Sequence, residues 1–285
     1  MAAIHSGAIS ERISIVTGAN SGIGKATALG LARIGGTVVL ACRNETRAEA
    51  AREEIVAATG NENVTVELVD LANLSSIRSF VDDFQRDHDR LDVLVNNAGL
   101  FRRKRELSAD GFELTFAVNY LGGFALTHWL LDLLEASTPA RIVNVSSRAH
   151  EGGAIDFESF QGQGPYSGFR AYGQSKLAQV LFTYELARRL AGIRIAVNAC
   201  HPGVIRTNFA AGEYPPGTGI VRRFFKSPEQ GADTPIYLAS SPEVEGVTGR
   251  YFAKRREAPS SPRSRDMAVA QRLYAVSEDL IRKFA

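Results

Sequence analysis

The chain has 285 residues, of which 45% are hydrophobic and 22% are charged, and it carries a formal net charge of +2 at pH 7. This length and apolar content predict one large α/β domain over residues 1–285 rather than two small ones. The near-neutral charge gives no reason to expect nucleic acid as a partner, and no run approaches the roughly 18 apolar residues that a membrane-spanning helix needs.

The N-terminus and the cysteines bear on the cellular compartment. The first residues, MAAIHSGAISER, lack the apolar core and the basic leader of a signal peptide. Cys42 and Cys200 fall at predicted strand ends, where we expect buried free thiols rather than a disulfide or a metal pair. The sequence therefore predicts a cytoplasmic protein.

The first predicted elements are a strand over residues 13–16 and a helix over 26–32, joined by a glycine-rich turn. Glycines at 18, 22 and 24 let the backbone turn sharply and approach a ligand where a Cβ would clash. The N-terminus of the following helix suits a pyrophosphate, because its N–H groups and its dipole favour negative charge. Such turns also have purely structural uses, but this one lies at the first strand–helix junction, as the dinucleotide fingerprint requires.

Strands and helices then alternate along the chain. Continuous apolar runs such as TVVLAC suit a parallel sheet that is covered on both faces. The pattern predicts strands at 37–42, 64–68 and 91–95 and helices at 45–58 and 74–88. This rhythm favours right-handed βαβ units, and hence a Rossmann-type, doubly wound, mostly parallel sheet with helices on both faces.

The second half of the chain continues this pattern with longer loops. We predict helices at 111–134 (broken at Gly122–Gly123), 169–190, 227–239 and 266–284, strands at 141–145, 193–198 and 249–252, and a polar loop at 255–265. Residues 148–168 and 209–226 lack clean periodicity and are expected to select the substrate. Their aromatic residues favour a fairly apolar one: Phe157, Phe160, Phe209, Tyr214, Phe224 and Phe225.

Tyr172 and Lys176 are four residues apart, so they share one face of a predicted helix. A phenol has a pKa near 10, and an adjacent ammonium lowers that pKa, which makes proton exchange with an alcohol feasible at neutral pH. A Tyr and a Lys at this spacing are also common on ordinary amphipathic helices. A similar pair, Tyr166 and Arg170, lies before the helix and lacks the lysine.

Seven motifs, in this order, resemble those of the short-chain dehydrogenase/reductase family. They are TGANSGIG at 17–24, VDL at 69–71, NNAG at 96–99, VNYLG at 118–122, VNVSS at 143–147, Tyr172-x3-Lys176 and HPGVIRT at 201–207, and they span about 190 residues. The ACRN segment at 41–44 and the stretch SPEQGADTPIYLASSPEVEGVTGRYF resemble the retinol-dehydrogenase-like branch.

The resemblance implies a catalytic tetrad of Asn119, Ser147, Tyr172 and Lys176. Ser147, the second serine of the VSS pair, would hydrogen-bond the substrate oxygen, whereas Ser146 would be structural or line the cofactor pocket. The backbone carbonyl of Asn119 would hold a water that connects Lys176 to solvent. The separation of 25 residues between Ser147 and Tyr172 is longer than in many members, which the glycine-rich loop explains as an insertion.

The resemblance also implies a dinucleotide site and an alcohol–carbonyl oxidoreductase, such as a ketoreductase. The cofactor-binding residues would be Gly18, Asn20, Ser21, Gly22, Ile23, Gly24, Arg43, Asn44, Asp70, Leu71, Asn97, Ala98, Gly99, Tyr172, Lys176, Pro202, Gly203, Val204 and Thr207. Asp70 would contact the adenine, although it could instead cap a helix. Cys42 stands where NAD-selective folds place a carboxylate, and Arg43 follows it, which favours NADP(H).

Several expectations concern partners and rival functions. We expect a small carbonyl or alcohol substrate, no metal, a structural role for His201, and a homo-oligomer, if one forms, through the helices at 111–134 and 169–190. Two other functions use the same fold: a non-redox isomerase or cyclase, and a nucleotide-binding regulatory protein. The complete tetrad argues against both.

Overall fold

The computed structural model describes residues 12–203 and 227–284. The predicted substrate loop at 209–226, with its aromatic residues, lies outside the described residues. Two of the predicted cofactor-binding residues, Val204 and Thr207, do so as well.

One sheet forms the centre of the described chain. Its strands are β1 (Ile13–Thr17), β2 (Thr37–Cys42), β3 (Val64–Leu68), β4 (Val93–Asn96), β5 (Ala140–Val145), β6 (Ile195–His201), β7 (Arg250–Ala253) and β8 (Arg256–Glu257). They are ordered β3-β2-β1-β4-β5-β6-β7-β8, and neighbours are parallel except for the antiparallel pair β7–β8. The predicted doubly wound α/β fold is therefore confirmed.

Helices cover both faces of this sheet. They are α1 (Gly22–Arg33), α2 (Glu45–Thr59), α3 (Leu74–Asp87), α4 (Leu114–Phe116), α5 (Gly122–Trp129), α6 (Leu131–Ala136), α7 (Gly168–Arg189), α8 (Pro228–Ser240) and α9 (Met267–Ile281). One face carries α1, α2 and α8, and the other carries α3, α5, α7 and α9. None of the helices in residues 12–203 and 227–284 is long and apolar enough to cross a membrane.

The strand order fixes the position of the site. β1 lies between β2 and β4, so the chain winds outward in one direction from β1 through β2 to β3 and in the other from β4 onward. Connections from the carboxyl ends of β1 and β4 consequently diverge to opposite faces and leave a crevice between them. Ligands of open α/β sheets bind in this crevice.

The predicted long helix at 111–134 differs in the structure. It begins at Leu114, contains a π-helical turn over Ala117–Leu121, and continues through Gly122 into α5. The predicted break at Gly122–Gly123 is therefore wrong. A Cβ at Gly122 would lie 2.4 Å from the carbonyl oxygen of Leu71, so this glycine permits close approach to the segment after β3 rather than ending the helix.

A hairpin replaces part of the predicted polar loop at 255–265. Strands β7 and β8 are joined by Lys254 and Arg255, whose φ angles are 53° and 59°. Two consecutive left-handed residues are typical of the tight turns that match strand twist, and they usually carry Asn or Gly. Because Lys and Arg are unusual there, local sequence preferences do not predict this hairpin.

Helix α9 packs across α5 and α7. Its Tyr274 ring contacts Phe124 and Phe182 at centroid distances of 5.1 and 6.1 Å. The Tyr120 hydroxyl, in the π-helical turn, lies 2.9 Å from the Ser277 hydroxyl. These surfaces belong to the two helices through which a homo-oligomer was predicted. α9 therefore covers part of the surface that such an assembly would use, and the oligomeric state stays a prediction.

Candidate active site

The glycine-rich turn after β1 forms a compact cradle. Gly18 and Gly22 have φ angles of 66° and 56°, which side chains rarely adopt. A Cβ at Gly24 would lie 2.4 Å from both the Gly18 carbonyl oxygen and the Asn97 side-chain nitrogen. Ser21 occupies the N-cap of α1 and makes no side-chain capping bond. The backbone N–H groups of the first turn of α1 are thus not capped by the Ser21 side chain, which leaves them able to bind an anion.

The loop after β4 is tied to this cradle by Thr17. Its hydroxyl accepts hydrogen bonds from the backbone N–H groups of Asn97 and Ala98, both at 2.9 Å. The Asn97 side chain in turn donates to the Thr17 carbonyl at 2.8 Å. Asn96 instead points into the core, where it donates to Thr127 and Asn144. Sequence reasoning passed over Thr17, which ends β1 and joins two predicted cofactor segments.

The carboxyl ends of β2 and β3 bring Arg43 and Asp70 together. Arg43 Nη1 lies 3.8 Å from Asp70 Oδ2, and the Arg43 side chain is 69% exposed. Cys42 is buried against the glycine turn, where the backbone N–H groups of Ala19 and Asn20 contact it, and burial raises its pKa to about 11. A guanidinium is therefore available at the place where the predicted dinucleotide would carry its adenosine end.

Two neighbouring polar residues have structural roles. Asn44 caps α2, since its Oδ1 accepts a hydrogen bond from the Arg47 N–H at 2.9 Å. Asn73 caps α3, so the alternative that Asp70 caps this helix is wrong. Asp70 Oδ1 accepts from the Ala72 N–H at 3.0 Å and shapes the turn before α3. Leu71 is buried beneath Gly122. Asn44 and Leu71 can contribute backbone contacts to a cofactor, whereas their side chains are already engaged.

Lys176 is buried beside Tyr172 on α7. Its Nζ lies 5.7 Å from the centre of the Tyr172 ring. It donates to the Val145 carbonyl at 3.0 Å and to Gln179 Oε1 at 2.9 Å. Both partners are neutral acceptors. Burial therefore lowers the pKa of Lys176 to about 7. A negative charge or further hydrogen-bond acceptors near Nζ would stabilise the protonated form.

Asn119 connects the crevice loop to α7. Its Oδ1 accepts from the Leu100 N–H at 2.7 Å, and its Nδ2 donates to the Leu100 carbonyl at 3.0 Å and to Ser175 Oγ at 2.9 Å. Ser175 Oγ then donates to the Tyr172 carbonyl at 2.8 Å. Gly99 lies close to both side chains, because a Cβ at this position would be 3.3 Å from Asn119 Oδ1 and 3.6 Å from Lys176 Nζ.

Asn119 also sits within the π-helical turn. Such a turn widens the helix and disturbs the regular i→i+4 bonding, and it occurs frequently at functional sites. The distortion accounts for a buried asparagine in a helix interior. It also fits the predicted role of the Asn119 backbone in holding a water, which the structure leaves as a prediction.

Ser147 begins a short 3₁₀ turn, Arg148–Gly152, directly after β5. Its Oγ accepts from the Ala149 N–H at 3.2 Å, so its own hydroxyl proton can be donated elsewhere. Ser146 is buried and donates to the Lys176 carbonyl at 2.8 Å, which agrees with the structural role expected for it.

A pair of glycines lets α7 lie directly on the turn that carries Ser147. A Cβ at Gly153 would be 2.4 Å from the Gly173 carbonyl oxygen, and a Cβ at Gly173 would be 3.2 Å from the Ala149 carbonyl oxygen. Gly173 follows Tyr172, so this contact holds Tyr172 and the Ser147 turn in register. The long separation between the two residues in sequence is therefore compatible with one site.

Comparison with known proteins identifies the family. The family model for short chain dehydrogenases matches residues 12–215. The chain belongs to the short-chain dehydrogenases. Retinol dehydrogenase 14 of Mus musculus is 44% identical over 283 residues, covering 94% of this chain and 85% of that protein. This places the chain in the retinol-dehydrogenase-like branch.

Solved structures agree with this assignment. An uncharacterised protein from Mycobacterium paratuberculosis matches with a TM-score of 0.78 and 36% identity, covering 95% of this chain and 93% of that one. A short chain dehydrogenase from Escherichia coli CFT073, complexed with NADPH, matches with a TM-score of 0.69 and 28% identity, covering 85% and 95%. The chain is thus an oxidoreductase of a family that binds nicotinamide cofactors and acts on alcohol and carbonyl groups.

The residues at the end of β6 lie next to the turn that carries Ser147. His201 Nδ1 accepts from the Arg148 N–H at 3.4 Å, and Gly203 has a φ angle of 103°. This bond joins His201 to the turn that carries Ser147, as its expected structural role requires. Across residues 12–203 and 227–284, no group of three His, Cys, Asp or Glu residues could hold a metal ion.

Sequence reasoning missed two side chains that touch the predicted catalytic tetrad. Gln179 holds the Lys176 ammonium, and Ser175 links Asn119 to the Tyr172 backbone. Both lie within one turn of Tyr172 or Lys176 on α7, so helical spacing could have indicated them. Nothing in the sequence alone shows which neighbour on such a helix turns inward.

Proposed function

We propose that this short-chain dehydrogenase interconverts a carbonyl and an alcohol on a fairly apolar substrate with NADP(H), using Asn119, Ser147, Tyr172 and Lys176. One observation carries the proposal. The buried Lys176 ammonium lies beside the Tyr172 ring and donates to two neutral acceptors. No charged partner for it lies within residues 12–203 and 227–284, and an anionic dinucleotide would supply one.

The residues divide the chemistry of reduction among them. The Ser147 hydroxyl donates a hydrogen bond to the substrate oxygen and polarises the carbonyl. Tyr172 gives its phenolic proton to the same oxygen, and the neighbouring Lys176 ammonium stabilises the phenolate that remains. Asn119 holds the loop at Leu100 and, through Ser175, the backbone of Tyr172. A bound nicotinamide supplies the hydride.

The choice of NADP(H) rests on Arg43. No carboxylate ends β2, and a guanidinium can bind a phosphate through two charge-assisted hydrogen bonds. The E. coli relative complexed with NADPH has the same fold. Asp70, 3.8 Å from Arg43 Nη1, orients the guanidinium and competes with a phosphate for it.

Lys176 makes cofactor affinity depend on pH. Its pKa is about 7 without cofactor, and negative charge with ribose acceptors raises that pKa because both favour the ammonium. Binding above pH 7 therefore takes up a proton. We expect the Kd for NADPH to rise about tenfold per pH unit between about pH 7.5 and 9, measured by fluorescence titration. In Lys176→Met this slope should disappear. A wild-type Kd that is flat over this range contradicts the assignment.

The aromatic residues that were expected to line the substrate site do not all do so. Phe160 is buried and stacks on Phe116 at 4.1 Å, and the Phe157 ring packs beneath Arg272 on α9. A different pair lies next to Tyr172. Phe101 contacts the Tyr172 ring edge-on at 6.0 Å, and Phe169 contacts Phe101 at 5.2 Å. Phe169 is 78% exposed although it lies one helical turn before Tyr172, so it offers an apolar surface to a substrate.

Phe169→Ser is expected to raise KM for apolar carbonyls about fivefold and to leave KM for small polar ones unchanged. Full burial of a Phe side chain contributes about 1.5–3 kcal/mol. A substrate that covers only part of Phe169 would gain about 1 kcal/mol of binding free energy, which corresponds to about a fivefold change in KM. Steady-state kinetics on both substrate types provides the measurement. Ile193→Ser is the control, because Ile193 is also exposed but precedes β6 at the opposite end of the sheet. Equal KM changes for both substrate types would remove Phe169 from the substrate site.

A panel of carbonyls and alcohols followed by nicotinamide absorbance tests the proposed reaction. Retinal and retinol belong in it, because the relative from Mus musculus bears the name retinol dehydrogenase. An isomerase or cyclase would convert its substrate without net cofactor turnover, and a regulatory protein would bind NADPH without turning over any substrate. No observation on the site favours either of them. The cytoplasmic location stays a prediction.

A further inference from the structure

His150 is a fully buried histidine that the proposed reaction leaves unused. It is 0% exposed and lies three residues after Ser147, in the same 3₁₀ turn. Its Nδ1 is 2.7 Å from the Ser147 carbonyl oxygen. Its Nε2 is 3.1 Å from the backbone nitrogen of Ser261. The ring therefore bridges the Ser147 turn and a distant part of the chain.

These two contacts determine the tautomer. A carbonyl oxygen can only accept, so Nδ1 carries the proton and donates it to Ser147. The Ser261 N–H can only donate, so Nε2 is the acceptor. A doubly protonated ring would direct an N–H at the Ser261 N–H, and burial already lowers the pKa of His150. The neutral Nδ1–H form satisfies both neighbours.

The partner segment, residues 258–265, is itself anchored to the site. Arg263 Nη1 donates to the Gly153 carbonyl at 2.9 Å, at the end of the Ser147 turn. The Ser260 hydroxyl lies 2.7 Å from the Tyr184 hydroxyl on α7. The segment thus contacts both elements that carry catalytic residues, and His150 is its contact closest in sequence to Ser147.

We propose that His150 is a positioning residue for Ser147: its Nδ1–H fixes the Ser147 carbonyl, and the 258–265 segment holds the imidazole in place. The Ser147 carbonyl also accepts from the His150 backbone N–H at 3.1 Å, so two donors from one residue hold it. Fixing this peptide fixes the direction of the Ser147 hydroxyl. The inference rests on the catalytic role of Ser147 proposed above.

Two variants separate the two ends of the imidazole. In His150→Asn, the amide NH₂ can still donate to the Ser147 carbonyl, as Nδ1 does, while the bond to Ser261 is lost. In His150→Gln, the amide oxygen can reach the Ser261 N–H, as Nε2 does, while the bond to Ser147 is weakened. If positioning of Ser147 is the role, His150→Asn should retain kcat within about threefold. His150→Gln should lose about 10-fold or more, since a misplacement of about 1 Å can lower a rate about 10²-fold.

The readout is kcat for the best substrate of the panel, with the concentration of folded sites taken from NADPH titration. KM for NADPH should stay within about twofold in both variants, because His150 contacts the serine turn rather than the cofactor segments. Ser261→Ala is the control. It removes a buried hydroxyl that has no hydrogen-bond partner among the described residues but keeps the N–H that binds His150, so kcat should be unchanged.

Melting temperature distinguishes positioning from simple packing. A merely structural His150 predicts that kcat per folded site is normal in both variants while their melting temperatures fall. That result, or a larger loss of kcat in His150→Asn than in His150→Gln, overturns the proposal. If neither variant binds NADPH, His150 is required for folding, and the positioning role is rejected. Wild-type protein that turns over no substrate on the panel would instead refute the proposed function.

Discussion

Tyr172→Phe is expected to lower kcat by about 10²–10⁴-fold, the range typical for loss of general acid–base help, and to leave NADPH affinity nearly unchanged. The substitution removes only the phenolic hydroxyl. The ring that packs edge-on against Phe101 and lies beside Lys176 is retained, and so is the backbone carbonyl that Ser175 contacts. Folding should therefore be preserved. Single-turnover kinetics with a substrate from the panel measures the loss directly.

The chain offers a matched control for this experiment. Tyr166→Phe makes the same chemical change at a tyrosine whose hydroxyl lies 3.0 Å from the Arg102 carbonyl oxygen and 3.2 Å from Glu113 Oε1, and its single proton can be donated to either. That hydroxyl supports the loop at 164–168 and has no part in the proposed reaction. Its loss should reduce stability by about 1 kcal/mol and spare turnover per folded site. Near-normal turnover in Tyr172→Phe, or equal losses in both variants, would remove Tyr172 from the mechanism.

Arg43→Ala is expected to weaken NADPH binding by about 10- to 150-fold and to change NADH binding little. A hydrogen bond to a charged group is worth about 1.5–3 kcal/mol, and each 1.4 kcal/mol is about tenfold in Kd. NADH lacks the 2′-phosphate that the guanidinium would hold. Titration of both cofactors into wild type and variant gives the ratio. Equal losses of affinity for NADPH and NADH would show that Arg43 does not bind the 2′-phosphate.

Two further variants sharpen the cofactor result. Lys25→Ala removes a cation in the first turn of α1, but Lys25 forms an ion pair with Glu54, so cofactor preference should be unchanged. Cys42→Asp places a carboxylate where the backbone N–H groups of Ala19 and Asn20 now meet a thiol. It should shift preference toward NADH, because a carboxylate there accepts from ribose hydroxyls and repels a 2′-phosphate. Unchanged preference in Cys42→Asp would mean that position 42 does not face the ribose.

The local features that the sequence predicted correctly depend on short-range geometry. Gly18, Gly22 and Gly24 form the turn between β1 and α1, and positive φ or close approach is observed at each. Tyr172 and Lys176 share a helix face because they are four residues apart. Alternation of apolar strands and helices predicted the first six strands along the chain. These features need no knowledge of distant contacts.

The features that were missed arise from long-range contacts. Gly122 does not break the helix but leaves room for Leu71, 51 residues earlier, which approaches the helix there. His150 is paired to Ser261 across 111 residues. The hairpin at Lys254 and Arg255 contradicts local turn preference, and its first strand, β7, pairs with the distant strand β6. A single sequence carries no record of such pairings.

Helix α9 has a consequence for the way the chain is made. The aromatic surface of α5 and α7 that Tyr274 covers is complete once Arg189 has been synthesised, but α9 begins only at Met267. At about 5–20 residues per second, a ribosome needs about 4–16 s to cross that interval. During this time Phe124 and Phe182 lack the cover that α9 gives them in the finished fold. Transiently exposed apolar surface of this kind promotes aggregation, so the growing chain is exposed to aggregation during those seconds.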